Sequence, residues 1–396
     1  MQTLTCLAIG SLLWFAIGFT LTFGPSQGGL IGNLNHVFLL DVGIDCCYPL
    51  STATSLPGIL FAGFQMMFAL MVPVIVTGAW AERMEFKAFA WFTLVWPFLV
   101  YYPLAHWIWN MNGWLAAYGV LDFAGGLTIH TSTGVAALVV SSILAGRMKG
   151  HTSIGKKRRK RISKKTQHQP LLALKNVDTY SIYLIYLLIS FFFPPSSSSS
   201  TSLSFIINNL FIGHHNLPMF VLGGALIWGG WYSFNAGSAY HAGPQAALAM
   251  MNTHISASSG AAVWILCKTI FIYYIYMYQW LLYVFMFSNN IFVPPYLGLY
   301  KYKVHYYFKR KWSLTEIMSG AFAGLAAITP GSGFVLPWSA VIIGACGSFS
   351  AFVWVTEIKP RIGVDDALDV AALQGVPGIL GTFAVGLFAE YALDAN

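Results

Sequence analysis

Charged side chains are scarce in this chain. Asp, Glu, Lys and Arg together make up 9% of its 396 residues, where a soluble domain carries about 25%. Too little charge is present to cover a water-facing surface, and a soluble globular fold is excluded for most of the length. Cysteine is also sparse. Cys6, Cys46, Cys47, Cys267 and Cys346 are the five, and no two of them form the C-x2-C pairs of a zinc site. Cys46 and Cys47 fall in a loop expected to face outward, where a disulfide is open to them but apolar filler suffices. No metal ligand set and no cofactor loop can be read from the residues. The chain enters its first apolar run almost at once, so no cleavable leader is expected.

Apolar residues are abundant, at 57%. Crossing the hydrocarbon of a bilayer takes roughly 20 consecutive apolar residues, and nine stretches qualify: 4–24, 57–80, 87–110, 118–146, 218–240, 244–267, 314–335, 337–358 and 367–392. They are dense in Gly, Ala and Ser, which allow close helix packing where lipid supplies no hydrophobic drive between helices. The expected fold is all-α, a polytopic membrane helical bundle in a lipid bilayer.

The net charge of +8 does not point to nucleic acid, because its placement follows the membrane. A basic run, Lys156 to Lys165, occupies one connection. Arg83 and Lys87 lie in another, Lys301 to Lys311 in a third, Lys359 and Arg361 in a fourth. These fall on alternate connections and mark the cytoplasmic side. The loops at 25–56, 111–117 and 241–243 hold almost no Lys or Arg and should face outside.

Two segments differ in composition from the rest. Residues 151–213 contain the basic run and then a Pro-Pro-Ser tract of low complexity. Residues 268–310 hold ten of the 20 tyrosines, no alanine and one glycine. A single crossing by either would turn every later basic loop outward. Both are therefore expected to be insertions on the cytoplasmic surface, or no part of the working protein. They divide the chain into a first helical repeat at 1–150, an insertion at 151–213, the start of a second repeat at 214–267, an insertion at 268–310 and the remainder at 311–396.

Ionisable groups at bilayer depth are costly, by about 2.5–3.5 kcal/mol on insertion scales. Five need a reason: His106, Asp122, His130, His254 and Asp369. Asp122 precedes a helix and reads first as a cap whose carboxylate accepts backbone N–H groups, with cation steering as the other role. Asp365 and Asp366 read as solvated caps of the last span. His130 lies mid-helix among Thr128, Ile129 and Thr131, where a polar pathway accounts for it better than a satisfied core position. Trp109 ends a span at the outer face beside Asn110 and Asn112, and Phe68 and Phe234 sit on spans rich in small residues. Their ring faces suit a monovalent cation, by about 0.5–2 kcal/mol.

The ordered blocks resemble the ammonium transporter (Amt/Mep/Rh) family. They are Phe64-Gln65-Met66-Met67-Phe68-Ala69, Gly78-Ala79-Trp80-Ala81-Glu82-Arg83, Pro103 to Trp109, Asp122 to Gly126 with His130, His215 to Met219, Gly230 to Ala239, Ala327 to Pro330, and Asp365 to Val370. They run from about residue 4 to 392, and the two unusual segments are gaps between them. The resemblance implies inverted repeats of helices around a pore, ammonium or ammonia as substrate, no cofactor, a homotrimer in the cell membrane, and no enzyme activity. It assigns Trp109, Phe68 and Ser238 to an outer recruitment site, Phe68 and Phe234 to a stacked gate, His130 to the pore lining and Asp122 to support of the recruitment site.

Two departures stand out. Gln374 occupies the position of the family's second pore histidine, and Gln does not titrate near neutral pH. The nine spans correspond to the family's second to tenth of eleven helices, so the first and last are expected to be missing from this sequence. Rival readings are an ammonium sensor, a non-transporting or partial family member, an NH3 gas channel, and an intramembrane enzyme built on His106, Asp122, His130 and Asp369. The last lacks a clustered metal pair and a nucleophile beside a histidine.

Overall fold

The computed structural model describes residues 2–44, 56–144, 216–288 and 313–390, and side chains throughout these except 272–276 and 278–288. Most of the two insertions, and Cys46 and Cys47, lie outside the described residues. Nine helical segments coincide with the nine expected spans: α1 Gln2–Phe23, α2 Gly58–Trp80, α3 Phe86–Ala117, α4 Gly126–Ile143, α5 Leu217–Gly237, α6 Pro244–Ser288, α7 Leu314–Ile328, α8 Pro337–Ile362 and α9 Ala371–Phe388. Among the described residues, two short antiparallel strands, β1 Ser26–Gln27 and β2 Ile31–Gly32, form the only sheet. The protein is a multi-pass α-helical membrane bundle.

Seven of these helices are long and apolar enough to cross a membrane. The other two, α6 and α7, pack against each other. Ten of the 15 residues of α7 are buried, and α6 carries three fully buried polar residues, Asn252, Thr253 and Ser256, the last of them facing α7. Ser256 Oγ donates to Gly324 O at 2.8 Å, Ser348 Oγ donates to Gly260 O at 2.7 Å, and Asn252 Nδ2 donates to Ser332 O and Val335 O at 2.8 and 2.7 Å. Small residues let the backbones approach until such bonds form. A Cβ on Gly324 would stand 2.3 Å from Ser256 O, closer than any side chain is tolerated.

Three boundaries differ from the sequence reading. α4 starts at Gly126 and not near 118, because Gly119 and Gly125 have φ of +78° and +113° and break the helical path. α7 ends at Ile328, where Thr329–Gly331 tightens into a 3-10 turn around Pro330. α6 does not stop at 267. Its 45 residues, at about 1.5 Å each, span roughly 68 Å, more than twice the roughly 30 Å of hydrocarbon.

Where the described residues resume after the Tyr-rich segment, they lie against its beginning. Ser313 caps α7 in a capping box with Glu316, and the Glu316 carboxylate pairs with the Lys268 ammonium. The two borders of 268–310 therefore meet.

Replacing Gly324 by Val should destabilise the bundle by about 1–3 kcal/mol through overpacking. Gly223→Ala, at a position with open space around it, should leave stability unchanged or slightly higher. Thermal unfolding of the detergent-solubilised protein compares the two.

Candidate functional site

The loop before α4 is organised by one carboxylate. Asp122 Oδ1 accepts the N–H groups of Gly125 (3.0 Å) and Gly126 (2.5 Å), and Oδ2 accepts those of Leu127 and Thr128 and the Thr128 hydroxyl, each at 3.0 Å. The first N–H groups of a helix have no partner within it, and here a single side chain takes four of them. Asp122 is only 6% exposed, and its oxygens are saturated. Its backbone oxygen accepts the Trp109 indole N–H at 2.7 Å, so the same residue fixes the tryptophan.

Beyond the cap the first turn of α4 is wound wide. His130 N donates to Gly125 O, five residues back, within a π-helical turn over Gly126–Thr131. This sets the fully buried His130 ring toward α9. Nδ1 meets Gln374 Oε1 at 2.6 Å. Against an amide oxygen, Nδ1 carries the proton and Nε2 presents its lone pair. Nε2 is buried without a partner. Gln374 rides on a second wide turn, Ala371–Gly375. The helices touch where Gly134 meets Gly375: a Cβ on Gly134 would lie 2.1 Å from the Gly375 Cα.

Aromatic rings form a continuous row outward from this pair. His130 stacks on Trp231 at 5.1 Å and 18° and lies 6.3 Å from Phe234. Phe234 stacks on Phe68 at 4.3 Å and 18°, and Phe68 meets Trp109 edge-on at 5.6 Å and 90°. Phe68 is fully buried, whereas Trp109 and Phe234 are half-buried. Ser238 Oγ donates to Phe234 O at 2.9 Å, which leaves the hydroxyl oxygen free to accept. All seven residues selected from the sequence, Trp109, Phe68, Ser238, Phe234, His130, Gln374 and Asp122, belong to this row or its supports.

The remaining ionisable candidates do not. His106 is fully buried and satisfied, its Nδ1 on Thr22 O and its Nε2 on Ser26 Oγ, both at 2.8 Å, and it fastens α3 to the end of α1. His254 is exposed and bonds the Tyr232 hydroxyl at 2.6 Å. Asp369, with φ of +55°, pairs with Lys359 at 2.5 Å.

Asp366 corrects the sequence reading. It is not solvated but 2% exposed, with Oδ2 accepting Ala371 N at 2.7 Å and Oδ1 unpartnered. Burial pushes its carboxyl above the usual range, against the bond from Ala371 and the charge of Lys359. Its neighbour Asp365 has a half-buried side chain 3.6 Å from Arg83. Trp231 was also not selected from the sequence. Its spacing, one turn before Phe234, was the available signal.

The Ammonium Transporter Family matches residues 1–174, 201–276 and 298–395, most of the chain. The chain belongs to this family. It is 35% identical over its whole length to ammonium transporter 1 of Dictyostelium discoideum, of which it covers 65%. It is 33% identical to the ammonium transporter of Bacillus subtilis, of which it covers 73%. Its structure is similar to the crystal structure of Saccharomyces cerevisiae Mep2, with a TM-score of 0.67 and 27% identity, covering 99% of this chain and 67% of that one. The chain thus spans about two thirds of the length of these relatives. The family is one of transporters and not of enzymes.

Asp122→Ala would strand four N–H groups at the start of α4. Unmade buried hydrogen bonds cost about 1–3 kcal/mol each and are not additive, so a loss of at least about 3 kcal/mol is expected, read as a lower unfolding temperature. Asp122→Asn keeps one acceptor oxygen and should lose less. Gly134→Ala should force α4 from α9 and break the His130–Gln374 bond, visible as altered imidazole NMR shifts.

Proposed function

We propose that this protein moves ammonium across the cell membrane, recruiting NH4+ at an outer aromatic site and conducting it through an apolar path. The observation that carries the reading is the row from Trp109 through Phe68 and Phe234 to His130 and Gln374. At the outer end, the ring faces of Trp109 and Phe68 attract a desolvating cation. Ser238 Oγ, its proton given to Phe234 O, accepts from that cation. Asp122 does not touch the solute, since its carboxylate oxygens are already filled by α4; it acts by holding Trp109.

The stacked rings of Phe68 and Phe234 close the path and must part for passage. Behind them the surroundings are aromatic, and a bare ion there would lose its hydration without a counter-charge. Ammonia avoids that cost, and the lone pair of His130 Nε2 can accept one of its hydrogens. In this protein only one of the two pore groups titrates. Gln374 can pass a hydrogen bond but not store a proton. The path therefore carries ammonia with charge movement weakened or lost. By likeness to the family, the working form is a homotrimer with a path in each subunit.

The segments at 151–213 and 268–310 stand outside the working bundle in this reading. Support comes from the gaps in the family match, 175–200 and 277–297, which fall inside them, and from the ion pair that joins the borders of the second.

Isotopic methylammonium uptake and current, measured together in proteoliposomes, test the mechanism. Uptake with less than one charge per substrate is expected, and Gln374→His should raise the ratio. A fixed ratio of one in the unaltered protein would overturn the neutral-passage reading. Growth of ammonium-starved yeast tests the insertions: a chain without both should restore growth better than the full chain.

A further inference from the structure

The three elements that carry Phe68, Trp109 and Ser238 each place a second polar side chain behind them. Gln65 lies one turn before Phe68 on α2. Tyr101 lies two turns before Trp109 on α3. Tyr240 follows Ser238 by two residues, just past α5. Gln65 is 1% exposed and Tyr101 fully buried. Gln65 Nε2 donates to the Tyr240 hydroxyl at 2.8 Å. The Tyr240 ring packs 5.4 Å from Phe61 and 5.9 Å from Phe64, and Phe64 lies 4.9 Å from Phe68. Tyr101 is buried in the same cluster as Phe61 and Phe68, and its ring packs 5.9 Å from that of Tyr102. Buried polar side chains from three separate elements thus belong to one aromatic cluster.

Their hydrogen bonds do not close among themselves. Gln65 Oε1 and Tyr101 Oη are both buried without a partner. The Tyr240 hydroxyl accepts from Gln65 and retains a proton to give. Orphaned buried groups are rare in folded proteins, and an ordered small molecule is their usual remedy. A buried water typically serves two to four such groups. The guest required here must donate to an amide oxygen and accept from a phenol.

We propose that Gln65, Tyr101 and Tyr240 form a buried site for one small neutral guest that both donates and accepts hydrogen bonds, water or ammonia. Charge is disfavoured because three neutral groups within aromatic walls offer no counter-ion. The guest donates to Gln65 Oε1 and accepts from the Tyr101 or Tyr240 hydroxyl. It thereby links α2, α3 and the segment after α5 one layer behind the outer rings. The site stands on its own geometry and does not require that the protein transport anything.

A structure of the purified full chain, at a resolution that shows ordered waters, tests this with and without ammonium. Density is expected about 2.7–3.2 Å from Gln65 Oε1 and from the Tyr101 or Tyr240 hydroxyl. A peak present in both conditions identifies water, and one that needs ammonium identifies ammonia. A direct bond between Tyr101 Oη and Gln65 Oε1, with no density between them, would overturn the proposal. Tyr101→Phe should remove or weaken the peak while leaving the Phe68–Phe234 stack in place. Should that variant fold poorly, a double-mutant cycle with Gln65→Leu in thermal unfolding gives the second readout. Groups sharing a guest are coupled, so the double variant should lose less than the sum of the two, and strict additivity counts against a shared guest.

Discussion

A helix that begins inside a membrane protein has N–H groups that neither lipid nor its own later turns can satisfy. At the start of α4 the remedy is the side chain of Asp122, and much of the path follows from it. Gathering four N–H groups onto one carboxylate fixes the turn at Gly125 and leads into a wide first turn carrying His130. The same residue's carbonyl oxygen fixes Trp109. Both ends of the aromatic row thus depend on one anchor. A carboxylate committed to this role has its oxygens filled by α4, so under the proposed function attraction of an ion falls to the ring faces and the Ser238 oxygen.

The two halves of the bundle use this arrangement twice and unequally. Asp122 precedes His130 by eight residues, and Asp366 precedes Gln374 by eight. His130 and Gln374 each ride on a wide turn. The second cap is the poorer one. Asp366 accepts Ala371 N through one oxygen and leaves the other buried and unpaired. The second half also bears a residue that cannot titrate. Under the proposed function, any proton chemistry of the path would fall to His130 alone.

The helices were legible because an apolar run of membrane length is seldom anything but a buried or spanning helix, and nine expected spans became nine helical segments. Their ends were less legible. The late start of α4 is set by the left-handed backbone at Gly119 and Gly125 together with the Asp122 cap, which periodicity does not register. The row of rings could be named from motif order, but the partner of each ring could not. Trp231 lies one turn from Phe234, yet so do many aromatic residues in a chain with 16% of them. Asp366 misled for a related reason: next to Asp365 at a span border it resembles a solvated pair, and only packing shows which of the two turns inward.

In the reading proposed above, the neutral character of the path rests on what surrounds His130. Its ring is stacked on Trp231, close to Phe234, and bonded to Gln374, with no carboxylate among these neighbours. A protonated imidazole there would be a costly buried cation without a counter-ion. Two imidazoles could share a proton across their mutual bond and spread that cost between them. One imidazole facing an amide cannot, because the amide oxygen accepts the hydrogen bond without taking the proton. The Gly134–Gly375 contact brings the two side chains within 2.6 Å, and under the proposed function it would keep the lining of the path while Gln374 takes away its capacity to relay charge.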